Sequence, residues 1–241
     1  MLIVLLAVEL ARGTRPSRLA LAVVTLLVVL AAVGNVQLLR QGVELFRAES
    51  DSTVGSIAAL ELAGPATAAE VKVDPERPWL VAGEYFQAAA ELGSPGYVAE
   101  LAARPDARRA AETGLARALG VEPEPAREGL GLGAAPVVER ASGGMAASRA
   151  SCVEFRAQVA GATLDLAVRE AGIRVRIRQR GPVSVVLRRL VKRFPRKRFT
   201  SLGGRSDSVL LLPRGKLATP WHVRLATAAS IEVCGVARPS T

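Results

Sequence analysis

The sequence predicts a membrane-anchored α+β protein. It has one transmembrane and stalk helix, then several short helices, then an antiparallel β-sandwich of jelly-roll kind. Three observations predict this. The run LALAVVTLLVVLAAV, Leu19–Val33, carries no charge and one polar atom, the Thr25 hydroxyl. Apolar residues then recur in helical steps from Val36 to Leu60. Beyond Ser151, short segments rich in Val, Ile and Leu alternate with Gly, Pro and Ser.

The apolar run is continuous from Ser17 to Val36 apart from Arg18 at its edge and Asn35 near its end. At 1.5 Å per residue it matches the roughly 30 Å hydrocarbon core of a bilayer. A soluble core helix of that length shows a polar stripe, and Leu19–Val33 has none. Arg12, Arg15 and Arg18 precede the run, whereas QLLRQGVELFRAESD after it has two Arg against three acids. The positive flank stays cytoplasmic, which places the chain after Val36 outside. A cleavable signal is the rival reading, with AAVGN as a loose cleavage site. The helical pattern runs straight through that point. The first segment, residues 1–11, is apolar but too short to span. It reads as the last turns of an earlier membrane helix, so the chain is expected to be the C-terminal part of a longer multi-pass protein or the product of a misplaced start codon.

Residues 37–63 form the stalk. Val36, Leu39, Val43, Phe46, Val54, Ile57 and Leu60 mark one helix face, and Gly64-Pro65 ends it. That stripe needs cover, from the chain's own folded domain or from a second subunit. Residues 64–119 suit short helices at Ala82–Leu92, Gly96–Ala102 and Asp106–Leu119, with Asp106 as the cap of the last. Trp79, Tyr85, Phe86 and Tyr97 are expected to staple them together. Residues 120–150, rich in Pro, Gly, Ala and Ser, read as a linker-like loop. Residues 151–241 form the sandwich, with strands at CVEFRAQV, ATLDLAV, GIRVRIRQR, VSVVLRRL, DSVLLLP, WHVRLAT and SIEVCGV.

Charge separates the last module from the rest. The chain carries a net +10, but residues 151–241 alone carry +13. Arg174, Arg176 and Arg178 alternate with Ile173, Val175 and Ile177, which predicts a strand with one buried face and one cationic face in water. RRLVKRFPRKR concentrates Arg188, Arg189, Lys192, Arg193, Arg196, Lys197 and Arg198. Two readings stand for this run. It is a solvated edge that keeps the sheet from pairing with neighbours, or it is an anion site. Outside a cell the anions are lipid headgroups or phosphate-bearing wall polymers. Nucleic acid fits less well, since interleaved aromatics are limited to Phe194 and Phe199.

Cys152 and Cys234 fall in the first and last predicted strands of the sandwich. Two Cys and one His cannot fill a four-ligand structural zinc site, and no cofactor motif is present. A disulfide between these two strands needs an oxidising compartment, which agrees with the charge argument. The alternative is two free, buried thiols.

Catalytic signals are sparse. There is no Walker A loop, no HExxH and no GxSxG elbow. His222, the only histidine, follows Trp221 inside a predicted strand and reads as structural. SLGGRSD and GLGLGAAP read as turns. Extracytoplasmic sugar enzymes use two carboxylates, but the pairs Asp74 and Glu76 around Pro75, and Glu122 and Glu124 around Pro123, read as solvated loop residues.

GNVQLLRQGVELFRAESDSTVGSIAALELAG, EYFQAAAELGSPGYVAELAA and LLLPRGKLATPWHVRLATAASIEVCG together resemble the C-terminal extracytoplasmic part of uncharacterised multi-pass membrane proteins of high-GC bacteria, some of them glycosyltransferase-like. The resemblance implies the topology and the Cys pair, and supports the idea of a missing upstream part. It carries over no active-site residue. The expectation is a membrane-anchored module that binds or positions an envelope glycan or anionic polymer. Its partners would be the lipid bilayer, that ligand, and an upstream membrane domain or partner subunit. A self-contained envelope enzyme and a structural assembly subunit are the alternatives.

Overall fold

The structure, a computed structural model, describes residues 18–126, 130–178, 181–194, 200–202, 206–213 and 215–237. The apolar segment 1–11, Arg12, Arg15 and Ser17 lie outside the described residues. The chain divides into two compact units, residues 1–50 and 51–241.

The first unit is built on helix α1 (Arg18–Ala63), which continues past Ser50 into the second. Among the described residues, this is the one helix long and apolar enough to cross a membrane, and none of its most apolar stretch is buried. Leu38, Leu39, Val43, Leu45 and Phe46 are exposed, Phe46 to 75%.

In the second unit the last turns of α1 are core. Val54, Ala58, Ala59, Leu60 and Leu62 are buried. The stripe read from Val36 to Leu60 therefore changes character along the helix. Its C-terminal part packs, whereas Val36, Leu39, Val43 and Phe46 are exposed. Three short helical elements follow: α2 (Ala82–Leu92), a 3₁₀ turn (Tyr97–Ala102) and α3 (Pro105–Ala118). The helix α3 lies directly on α1. A Cβ at Gly55 would come within 2.3 Å of the Ala107 carbonyl, so only glycine permits that approach. Asp106 does not cap α3 as expected. Pro105 opens the helix after an Arg104 N-cap that makes no side-chain capping bond, and Asp106 pairs instead with Arg109. Tyr85 and Phe86 meet edge to face at 5.2 Å and, with Tyr97, pack on the core. Trp79 does not join them, being 69% exposed.

All seven predicted strands form, as β4 (Cys152–Ala157), β5 (Ala162–Val168), β6 (Gly172–Ile177), β7 (Val183–Arg188), β9 (Asp207–Leu211), β10 (Trp221–Thr227) and β11 (Ser230–Val236). Four more join them: β1 (Pro123–Pro125), β2 (Val137–Ser142), β3 (Gly144–Arg149) and the two-residue β8 (Thr200–Ser201). The first three of these overturn the linker reading of 120–150. Low hydrophobic periodicity hid them, because β2 and β3 are edge strands that face water for most of their length. Gly143, at φ +69°, turns β2 into β3 and moves the chain from one sheet to the other.

The described strands make two antiparallel sheets, ordered β1-β9-β6-β11-β4-β3 and β2-β5-β10-β7-β8. From β4 to β11 the pairing is nested. The strand β7 pairs with β8, β6 with β9, β5 with β10 and β4 with β11. Alternate residues of both sheets enter one hydrophobic core. Val153 and Phe155 come from β4, Leu164 and Leu166 from β5, and Trp221, Val223 and Leu225 from β10. The last turns of α1 and helix α3 contribute to the same core.

Candidate functional site

The predicted cationic strand face exists, but its three arginines are paired with two acids of neighbouring strands. On β6, Arg174 binds Asp207 of β9 through two nitrogens, with Nε at 2.9 Å from Oδ1. Arg176 reaches Asp207 at 3.5 Å and Glu232 of β11 at 3.2 Å. Arg178 donates to Glu232 at 2.8 Å. Register explains the ladder, since Arg176 stands opposite Asp207 on one side and Glu232 on the other. The Arg174 guanidinium holds the Asp207 carboxyl below its usual range, outweighing the opposing effect of burial. The sequence offered no signal for this neutralisation, because the acids sit on strands 31 and 56 positions away from Arg176.

The basic run begins in a more constructed place. Arg188 ends β7 on the outer face of the second sheet, opposite His222 of β10. The bulge between Val138 and Arg140 inserts Glu139 as an extra residue in β2 and brings it to the same spot. The Glu139 Oε2 atom lies 2.9 Å from His222 Nδ1 and accepts from Arg188 at 3.2 Å. In the neighbouring row Arg224 makes a two-bond pair with Asp165, both at 2.7 Å. The Arg188 and Arg224 guanidinium carbons lie 4.7 and 4.3 Å from the Phe194 ring centre. The result is an open, polar, aromatic-centred patch formed by Glu139, Asp165, Arg188, Phe194, His222 and Arg224. Arg188 also donates to the Lys192 carbonyl at 3.2 Å, so the patch adjoins the turn that exposes Lys192 and Arg193. Arg196, Lys197 and Arg198 lie outside the described residues. Sequence reasoning missed Glu139 because it falls in the segment taken as a linker. The Ser-Gly-Gly step after VVERA was the available hint of a hairpin.

Arg189 is buried and points the other way. It donates to the carbonyls of Thr219, Pro213 and Leu217 at 3.0, 3.3 and 2.6 Å, and its guanidinium lies 5.0 Å from the Trp221 ring centre. It is a strut, not a free anion-binding group. A cleft of about 310 Å³ opens beside it, between Arg169–Glu170 and Ala218–Trp221.

Three buried carboxylates organise the loops of this unit. Asp74 is not the solvated loop residue its Pro-flanked position suggested. It is buried and accepts from Arg77 at 2.5 Å, from the Glu76 amide at 3.0 Å and from Ser56 of α1 at 3.4 Å. Burial alone would raise its carboxyl, but the Glu76 amide and the Arg77 guanidinium outweigh that and hold it low. Glu61 of α1 accepts from the Gly96 and Val98 amides, at 2.8 and 2.9 Å, and from the Ser94 hydroxyl, and so caps the 3₁₀ turn. Glu112 of α3 accepts the Leu190 and Val191 amides on Oε2, at 2.5 and 2.9 Å, while its Oε1 is buried without a hydrogen-bond partner among the described residues. Burial pushes the Glu112 carboxyl above its usual range, and the backbone amides only partly offset this. The turn that opens the basic run is thus held to α3 from beneath.

Cys152 and Cys234 form a disulfide between register partners of β4 and β11, 82 positions apart in sequence. Glu232 lies near both sulfurs, but bonded sulfurs offer no thiolate to a metal.

Comparison with protein-family models, with curated proteins and with solved structures returns no match.

Proposed function

We propose that this chain is a membrane-anchored extracytoplasmic binding module with a jelly-roll domain. Its ligand is a cell-envelope glycan or an anionic, phosphate-bearing polymer. The nested pairing of β4–β7 with β8–β11 supports the jelly-roll reading, in which a long hairpin is rolled so that its halves alternate between sheets. The disulfide ties the open end of that hairpin and suits an oxidising compartment. The arginine-rich flank before α1 favours the same orientation.

The observation that carries the reading is the patch on the outer face of the second sheet. It lies on an open face rather than in an enclosed cavity, so it suits an extended chain that slides across it. Phe194 offers apolar ring contact. Glu139 and His222 offer hydrogen bonds to hydroxyls, and the adjoining Lys192 and Arg193 offer charge to phosphates. The matched arginines of β6 then serve the sheet rather than the ligand. The resemblance to envelope proteins of high-GC bacteria is consistent with such a ligand.

The test uses the full chain in detergent with a purified phosphate-bearing wall polymer, and a neutral glycan beside it. Binding of the polymer is expected to weaken with salt and to fall about tenfold in Lys192→Glu/Arg193→Glu, equivalent to about 1.4 kcal/mol. A variant that binds as well as the parent, or an affinity indifferent to salt, removes the reading.

A further inference from the structure

We infer that Glu139, Arg188 and His222 form a proton-gated phosphate subsite, at which a phosphodiester of the ligand binds beside Arg188 once His222 is protonated. The inference rests on the ligand face proposed above and adds its regulation. The three groups converge on one atom. Glu139 Oε2 lies 2.9 Å from His222 Nδ1 and 3.2 Å from Arg188 Nη2, and Arg188 Nη2 lies 3.2 Å from His222 Nδ1. Arg188 and His222 are register partners on β7 and β10, so their side chains leave the same sheet face directly opposite each other. With a neutral ring the cluster carries no net charge, because the Glu139 carboxylate matches the Arg188 guanidinium. A protonated ring adds a second cation, and like charges directly opposite on a sheet repel. Both cations then share a single carboxylate oxygen, and an anion from outside relieves them.

The neighbours do not supply that anion. Asp165, the other acid of the patch, is buried and holds Arg224 by two bonds at 2.7 Å. Arg140 stands opposite Asp165 on β2, and Lys192 and Arg193 are exposed on the adjoining turn, so these three add positive charge alone. Glu112 lies beneath the same turn, buried, and accepts the Leu190 and Val191 amides. The Arg188 Nε–H is buried with no acceptor among the described residues, so the fold does not use every donor of that guanidinium. The side chains of Arg188, His222 and Glu139 are 17%, 21% and 31% exposed, which leaves them within reach of a ligand. Imidazole changes charge between pH 5 and 8, whereas a phosphodiester keeps one negative charge throughout that range. His222 is the only histidine, so proton uptake on binding has one imidazole to go to. Proton and phosphodiester then strengthen each other's binding by the same factor.

The test measures the affinity of the full chain in detergent for purified poly(glycerol phosphate) at pH 5.5 and at pH 8, at one ionic strength. The parent should bind about tenfold tighter at pH 5.5. His222→Gln should bind equally at the two pH values. Glu139→Gln removes the shared carboxylate and should bind at pH 8 about as tightly as the parent does at pH 5.5. Glu112→Gln should keep the parent's pH dependence, which separates the ring from the buried carboxyl beneath the turn. A pH dependence that survives in His222→Gln, one that vanishes in Glu112→Gln, or weaker binding of Glu139→Gln at pH 8 than of the parent would each overturn the inference. Binding of the parent that is equal at both pH values removes the subsite and leaves the proposed ligand standing. Absence of binding at both pH values removes the ligand and the subsite together.

Discussion

Replacing both Cys152 and Cys234 by Ala should destabilise the second unit by about 3–5 kcal/mol. The magnitude follows from the sequence separation of 82. A bond closing a loop of that length removes about 15 cal/mol/K of entropy from the denatured chain, or about 4.5 kcal/mol at 25 °C. Native contacts change little by comparison, since β4 and β11 remain paired over five register positions and each keeps another strand neighbour. Compact denatured chains make the true figure smaller, which sets the lower bound. The assay is urea unfolding of the full chain in detergent micelles, followed by Trp221 fluorescence, since Trp221 is buried in the core. With a slope near 2 kcal/mol per molar urea, the midpoint should fall by about 1.5–2.5 M. A loss under about 1 kcal/mol would refute the reasoning, because the long loop would then not be what the bond restrains.

Other consequences are as direct. Glu112→Gln should leave stability unchanged at pH 4 and raise it relative to the parent as pH climbs. The raised Glu112 carboxyl gives the parent a contribution that is full below its unfolded value of 4.5 and is lost through the higher folded value. Melting curves across pH 4–8 check the sign, and a difference that shrinks with rising pH would contradict it. Glu112→Ala instead strands the Leu190 and Val191 amides and should cost about 2–4 kcal/mol at pH 4, a cost that shrinks as pH climbs, measured by the same melts. The Asp207 carboxyl is held low, so its support is present above its unfolded value near 3.8 and is lost as pH falls through the folded value. Asp207→Asn should therefore cost about 1 kcal/mol at neutral pH and progressively less as pH falls below 3.8, the pair being partly exposed. Thiol labelling of whole cells should find Cys152 and Cys234 blocked until reductant is added. Labelling without reductant, and only after lysis, would invert the proposed orientation.

The sequence by itself determined what depends on local periodicity and on one-dimensional composition. The apolar length of α1, its end at Gly64-Pro65, the short helices and seven of the strands follow from spacings of 3.6 and 2 that a side chain's own neighbours enforce. The Cys pair was legible for the same reason, since each Cys lay in a recognisable strand at opposite ends of the module. Only tertiary structure decided which groups meet across strands. Arg174 and Arg176 read as a bare cationic face until β9 and β11 set Asp207 and Glu232 beside them. Asp74 read as a solvated loop acid until the fold buried it beside Arg77 and Ser56 of α1, and only the fold set Glu112 against the distant Leu190 and Val191 amides. Glu139 reached His222 through a bulge in a strand too polar to announce itself. Periodicity records how much of each strand face is buried, but not which strand lies next to it. Register between strands tens of residues apart is set by the packing of the whole core, and the patch centred on Phe194 exists only once that register is formed.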